Sequence, residues 1–361
     1  MRIAVDGGNY NPENGVKSGI QRLIDSFLWQ IQKIKDPNIS INYYYFGDEV
    51  KQKTQRNISV MRLPEKFFAN IHLPVHILKD RNDVFLGFSG FLPPALYFAP
   101  ITKIVFIHDL GFFMFPHLYP TSEKLIQDTK RSVQHADKII VFSNCVKDEI
   151  VTQFRMNKKK VVRIYAGVDH LISHVLINRL INTKITLMNS NYFLYVGVIK
   201  PIKNIEKLLI IFKAFLKRAK RKDYKLVLIG VHEPNYFLSL TYNPVYIELK
   251  DNLIFLENVS DPLLRQYYLN ATAILNTSNE EGFCYPVFEA LSLGKPVIVD
   301  DLPIYREYRR YFQGLSIGVS NDKIVQRMLK VAKKPPKYEM RKIPKLFTWQ
   351  NFYQTLLQEL S

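Results

Sequence analysis

Ala271 to Ser278 (ATAILNTS), Asn279 to Tyr285 (NEEGFCY), Pro286 to Leu293 (PVFEALSL), Gly294 and Pro296 to Val299 (PVIV) read in succession as strand, loop, helix, glycine stop and strand. Pro286 suits the first helical turn, where its missing N–H would have no partner anyway, and Gly294 suits the position just past the helix, where positive φ is needed. That order aims the helix amino terminus, with its free amides and positive dipole end, at the carboxyl edge of a parallel sheet. Phosphates bind at that edge in such folds. Glu281 precedes the helix and Glu289 lies within it, so the two carboxylates face different surroundings and carry different jobs.

Outward from this segment the alternation continues. Tyr192 to Val196 with Ile205 to Lys220 and Lys225 to Ile229 predicts strand, helix, strand. In the first half, Arg2 to Val5 is followed by Ile20, Leu23, Ile24, Phe27, Leu28 and Ile31, a spacing that puts one apolar face on a helix. Strands are expected at Ile41 to Phe46, Val84 to Phe88, Lys103 to Ile107 and Lys138 to Phe142, with a helix at Ser122 to His135. The fold class is therefore α/β with two Rossmann-like domains. The first is placed at 1–175 together with a final helix at 348–361, the second at 185–340, and His170 to Ser190 is read as connector and extra helix. The length of 361 residues agrees, since about 150 residues per domain gives two.

Composition narrows the partners. Fifty Lys and Arg against 32 Asp and Glu leave a net charge of +18, which points to a polyanion such as a phosphorylated substrate, anionic lipid or nucleic acid. Cys145 and Cys284 alone cannot form a disulfide framework, so a reducing compartment is expected. No stretch reads as a signal peptide or membrane span, because Pro93, Pro94 and Pro100 interrupt the most apolar segment. The expected location is cytoplasmic, with peripheral attachment at the inner face of the membrane.

The segment Glu281-Gly282-Phe283-Cys284-Tyr285-Pro286-Val287-Phe288-Glu289 resembles the E-x7-E motif of retaining glycosyltransferase family 4, whose members have the GT-B fold, two Rossmann-like domains facing across a central crevice. The resemblance implies that Glu289 holds the nucleotide ribose, Glu281 sits beside the donor sugar, and the backbone of Gly282, Phe283, Cys284 and Tyr285 meets the phosphates. The family has glycine where Cys284 stands. Tyr195 to Asn204 (YVGVIKPIKN) resembles the family's glycine and K-N loop, which gives Gly197, Lys200 and Lys203 to the donor diphosphate. Cations there stabilise the charge that develops on the leaving group without a metal. The family's arginine has no counterpart at Val198 or Ile202, and Lys200 is the expected substitute.

Three further segments extend the resemblance. Phe106-Ile107-His108-Asp109-Leu110 and Phe115-Pro116-His117-Leu118-Tyr119-Pro120 are similar to the family's H-D-L and F-P-x-x-Y-P segments, placing His108 and Asp109 by the donor sugar. Gly15 and Gly19 resemble its flexible glycine loop over donor phosphate and acceptor. In the family the last helix, here from Trp349, crosses back to the first domain. The implied activity is hexosyl transfer from a nucleotide diphosphate sugar, with a lean towards GDP-mannose and mannosyl transfer, to a saccharide or lipid-linked saccharide acceptor in polysaccharide or glycoconjugate synthesis. No cofactor and no metal are expected, since no D-x-D motif occurs. An anionic membrane surface is a further expected partner, and nucleic acid is not.

Other classes fit less well. The chain has neither G-x-G-x-x-G nor G-x-x-x-x-G-K-[ST], the strings a dinucleotide oxidoreductase or a phosphate-loop NTPase requires. A basic nucleic-acid-binding protein would use exposed aromatics, yet Tyr43, Tyr44 and Tyr45 fall in a strand-like run. A binding relative of the same fold without turnover is the remaining alternative.

Overall fold

A computed structural model of the chain describes residues 1–10, 19–34, 36–47, 57–173, 191–221, 223–334 and 344–360. They form two compact units, Met1–Gly167 with Leu346–Ser361, and Val168–Lys345. The sequence places a first domain at 1–175 with a connector from His170 to Ser190, whereas the two units divide at Gly167.

The first unit contains β1 (Arg2–Tyr10), α1 (Gly19–Ile34), β2 (Ser40–Gly47), β3 (Ile58–Arg62), α2 (Leu73–Lys79), β4 (Val84–Gly87), β5 (Thr102–Phe106), α3 (Gly111–Met114), α4 (Ser122–His135), β6 (Lys138–Val141), α5 (Asn144–Gln153) and β7 (Val161–Arg163). The second contains α6 (His170–Ser173), β8 (Tyr192–Val196), α7 (Ile205–Ala219), β9 (Lys225–Ile229), α8 (Pro234–Thr241), α9 (Pro244–Leu249), β10 (Leu253–Leu256), α10 (Asp261–Asn270), β11 (Ala273–Asn276), α11 (Tyr285–Ser292), β12 (Val297–Asp300), α12 (Pro303–Tyr308), β13 (Leu315–Gly318) and α13 (Asn321–Lys333). The last helix, α14 (Trp349–Leu360), returns to the first unit.

Both sheets are parallel throughout. Their orders are β3-β2-β1-β4-β5-β6-β7 and β10-β9-β8-β11-β12-β13. Strand order reverses between β1 and β4 in one and between β8 and β11 in the other, and loops at the carboxyl ends of such a pair make a binding cleft. Buried on both faces, these strands read as apolar runs, as in Phe193, Leu194 and Tyr195 or Ile139, Ile140 and Val141. Tyr43, Tyr44 and Tyr45 are buried in β2, so they offer no stacking platform to nucleic acid.

Aromatic packing fixes α14. Phe352 contacts Phe106 and Phe142, Tyr353 contacts Phe27, and Phe27 in turn meets Phe88. Fully burying such side chains contributes about 1.5–3 kcal/mol each. Lys138 Nζ also reaches Glu359 at 3.0 Å. Gly167 is required at the crossing, because a Cβ there would lie 2.5 Å from the Trp349 ring and backbone nitrogen.

Candidate donor-binding site

The site in the second unit is built from the loops that follow β8 and β11, the two strands flanking the reversal of strand order. The loops are stitched together: Asn279 N donates to Ile202 O at 2.9 Å, Asn204 Nδ2 to Asn279 Oδ1 at 2.9 Å, and Thr277 Oγ1 to Asn204 O at 3.1 Å. Gly197, at φ 148°, lets the first loop leave the sheet, and Gly230 packs so closely that a Cβ on it would stand 2.1 Å from Gly197 O. The Tyr195 hydroxyl holds the turn by donating to Val198 O at 3.1 Å.

At the centre Lys203 Nζ lies 2.7 Å from Glu281 Oε1. Glu281 also accepts from Ser278 Oγ at 2.6 Å and from Asn276 Nδ2 at 3.4 Å. Burial pushes this carboxyl up, but Lys203 and the hydrogen bonds from Lys203, Ser278 and Asn276 outweigh it and hold it below its ordinary range. Burial works against the Lys203 ammonium in the same way, and the Glu281 charge raises it well above the ordinary lysine range. Both groups are therefore ionised at neutral pH. Lys200 stands half-buried just before the short turn Pro201–Lys203.

Cys284 occupies the N-cap of α11 at φ 65°, a left-handed conformation that glycine adopts freely and other residues reach at a cost of about 1–2 kcal/mol. The side chain at this glycine-like position is a half-buried thiol 3.5 Å from Asn276 Nδ2. Burial, reinforced by Glu281, pushes that thiol far up, so it stays protonated. The helix begins at Tyr285, one residue earlier than the sequence suggested, and the strand before it is shorter than Ala271 to Ser278. Asn276 is the last strand residue and takes Tyr305 Oη on its Oδ1 at 3.1 Å, while Ser278 turns back to Glu281. Gly282 is buried in the loop, and Phe283 and Tyr285 pack into an aromatic cluster with Phe288 and Tyr308. Their backbones, with that of Cys284, lead into the amino end of α11. Gly294, at φ 73°, lies just beyond that helix, as its composition implied.

Glu289 is 1% exposed. Its Oε1 lies 2.9 Å from His170 Nε2, and its Oε2 accepts from Tyr268 Oη at 2.8 Å. The structure brings Lys203 and Glu281 together, while Glu289 has its own partners.

In the first unit His108 follows β5 and its Nε2 lies 2.7 Å from Phe88 O. A carbonyl only accepts, so Nε2 carries the proton and Nδ1 presents a lone pair. Burial lowers the pKa of this imidazole, which favours the neutral ring. Asp109 accepts from Gly111 N at 3.0 Å and so shapes the start of α3. Gly19 is the first residue of α1, and Gly15 lies outside the described residues. Sequence reasoning missed Asn276, Ser278 and Tyr305 around Glu281, and His170 and Tyr268 around Glu289. The polar ending Asn276-Thr277-Ser278 of an apolar strand was a usable signal; nothing local marks His170. Among the described residues no cluster of His, Cys, Asp or Glu is placed to hold a metal ion, and no helix is long and apolar enough to cross a membrane.

The model of the family described as glycosyl transferases group 1 matches residues 179–343, which contain both loops. The O-antigen chain mannosyltransferase RfbU of Salmonella typhimurium is 31% identical over 207 residues, covering 57% of this chain and 54% of its own. The chain thus spans about half the length of that curated relative. The sucrose-phosphate synthase of Thermosynechococcus elongatus superposes with a TM-score of 0.70 at 16% identity, over 99% of this chain and 98% of that one. The Anabaena protein HepE, solved in complex with UDP and glucose, gives a TM-score of 0.65 at 14% identity over 100% and 96% of the two chains. Such low identities speak for the fold, two Rossmann-like units of the GT-B class. Residues 179–343 thus resemble the glycosyl transferases group 1 family, and the chain along its length has the GT-B fold.

Proposed function

We propose that the chain is a retaining glycosyltransferase that moves a hexosyl group, without a metal, from a nucleotide diphosphate sugar to a saccharide or lipid-linked saccharide acceptor in polysaccharide or glycoconjugate synthesis. The observation that carries this reading is the part-buried, ionised Lys203–Glu281 pair at 2.7 Å, set beside the amino end of α11 where strand order reverses between β8 and β11. A diphosphate arriving there meets a fixed cation and helix-end amides. The bond from the anomeric carbon to the diphosphate breaks, a new bond forms to the acceptor oxygen on the same face, and the acceptor proton passes to a diphosphate oxygen. Lys203, assisted by Lys200, offsets the charge left on the diphosphate. Glu281 lies beside the sugar, and neutral His108 accepts a sugar hydroxyl at Nδ1.

Glu289 holds the ribose in this reading. Its Oε1 faces His170 and its Oε2 faces Tyr268, so a ribose hydroxyl would reach the carboxylate by taking the place of a present partner such as His170. A mannosyl donor, GDP-mannose, is favoured by the 31% identical relative being a mannosyltransferase and by the H-D-L segment. Peripheral attachment to an anionic membrane at its cytoplasmic face, where lipid-linked acceptors are anchored, accords with the net charge of +18. The test is a thermal-shift screen of the purified protein against UDP, GDP, dTDP and their sugars in EDTA. Selective stabilisation by GDP and GDP-mannose is expected. No shift with any nucleotide overturns the transferase reading in favour of a relative that does not bind donor.

A further inference from the structure

The residues Phe67, Ile71, Val75 and Leu78 are all exposed, at 56%, 50%, 54% and 44%. They run along one π-helical turn, Phe68–His72, and straight on into α2. The spacing of four and three residues keeps Ile71, Val75 and Leu78 on one side, and Phe67 stands just before them as the left-handed residue that caps the π-helical turn. The opposite side is already used: Phe68, Leu73 and Ile77 are buried in the core of the first unit. The element thus has two apolar faces, and the outer one is a continuous stripe of large side chains open to solvent. The short turn Pro94–Leu96 packs against the π-helical turn, and just after it Phe98 is 91% exposed.

Charge frames this stripe at both ends. At its beginning the Lys66 ammonium lies 5.3 Å from the centre of the Phe67 ring, and Arg62 is exposed nearby in sequence. At its other end Leu78 is followed by Lys79 and Arg81, which with Arg2, Ser40, Asn42 and Ser59 line an open pocket of about 500 Å³. Asp80 lines the same pocket, but its carboxylate accepts the Tyr44 hydroxyl at 2.8 Å, and Asp83 accepts Arg2 N at 2.7 Å. Glu65 is the remaining exposed acid of the stretch.

We infer that this face docks the protein on an anionic lipid bilayer, the stripe from Phe67 to Leu78 lying in the interface and the Arg2, Lys79 and Arg81 pocket taking a lipid phosphate. The inference rests on the membrane attachment proposed above and names the surface that performs it. Large apolar side chains between cationic ends are what an interfacial helix requires: the apolar face sinks to the acyl boundary while lysine and arginine stems reach back to the headgroups.

The experiment is co-sedimentation of the full chain with vesicles of phosphatidylethanolamine and phosphatidylglycerol, and with vesicles of phosphatidylcholine alone. The wild type should bind the anionic vesicles at least tenfold more tightly. The variant Phe67→Ser/Ile71→Ser/Val75→Ser/Leu78→Ser should lose at least tenfold, and Lys79→Glu/Arg81→Glu should lose the preference for anionic lipid. Val75→Trp supplies a readout on an otherwise intact surface, with a blue-shifted emission expected on anionic vesicles. A wild type that binds no vesicle overturns both the attachment and this surface. A serine variant that binds as tightly as wild type overturns this surface alone, leaving the attachment to another one. A serine variant that changes only self-association in sedimentation velocity overturns the inference in favour of a second copy as the occupant.

Discussion

Replacing Lys203 with methionine removes the cation from a part-buried ion pair while keeping much of the stem volume. At 2.7 Å the attraction amounts to about 6 kcal/mol at an effective dielectric of roughly 20. Desolvation of both ions offsets much of that, but loss of one partner exposes the other's full penalty, about 3–5 kcal/mol. The lower end applies, because Glu281 retains Ser278 at 2.6 Å and Asn276 at 3.4 Å. A loss of about 3 kcal/mol lowers Tm by roughly 6–12 °C for a unit of this size. Urea and thermal unfolding of Lys203→Met, Glu281→Gln and the double variant at pH 7 form the assay. The double variant should cost less than the sum of the singles by about 1–3 kcal/mol. Glu281 is depressed on folding, so its share is present above the ordinary carboxylate range and fades as pH falls through the lower folded value. Lys203 is raised, so its share is present below the ordinary lysine range and fades as pH climbs through the higher folded value. The coupling is therefore full at neutral pH and shrinks in acid. Additive single effects, or a Tm within 2 °C of wild type for Lys203→Met, would refute the reasoning.

Glu289→Ala should weaken nucleotide binding at least tenfold by isothermal titration, since it removes the carboxylate that His170 and Tyr268 hold; unchanged affinity sinks the ribose assignment. Gly167→Ala forces a Cβ to 2.5 Å from Trp349 and should cost about 1–3 kcal/mol of stability in the first unit, which a Tm equal to wild type would contradict. Burial, reinforced by Asp109, raises the Glu149 carboxyl, and its Oε2 is a buried oxygen with no hydrogen-bond partner among the described residues. A raised carboxyl favours the fold below the ordinary glutamate range and loses that advantage as pH rises through the folded value, so Glu149→Gln should be more stable than wild type at pH 8 and not at pH 4. A pH-independent difference in Tm would remove this explanation.

The order of elements was legible because it rests on local patterns. The helix at Ser122–His135 and the strand at Lys225–Ile229 have the ends their periodicity suggested, and Ser143 caps α5 by accepting from Val146 N at 3.3 Å. Short edge strands such as β3 and β7 were not anticipated, since five and three residues carry too little alternation to stand out. Within the site, Glu281, Glu289 and Lys203 could be named from their places around a strand-to-helix turn. Their partners could not: Lys203 and Glu281 are separated by 78 positions, and His170 and Glu289 by 119. Only parallel pairing of β8 with β11 brings the first two together. The departure at Cys284 was visible as a residue type, but its φ of 65° is a property of the folded backbone.

The return of α14 to the first unit sets an order of events during synthesis. A ribosome adding about 5–20 residues per second needs on the order of ten to forty seconds to traverse the second unit before Trp349 emerges. Throughout that interval the nascent first unit carries an aromatic gap beside Phe27, Phe106 and Phe142 that Phe352 and Tyr353 will later fill. The second unit, continuous from Val168 to Lys345, can close first even though it begins later. Trimming the chain before Trp349, or fusing a bulky tag against α14, would thus strike the stability of the half made first and leave the second unit to fold by itself.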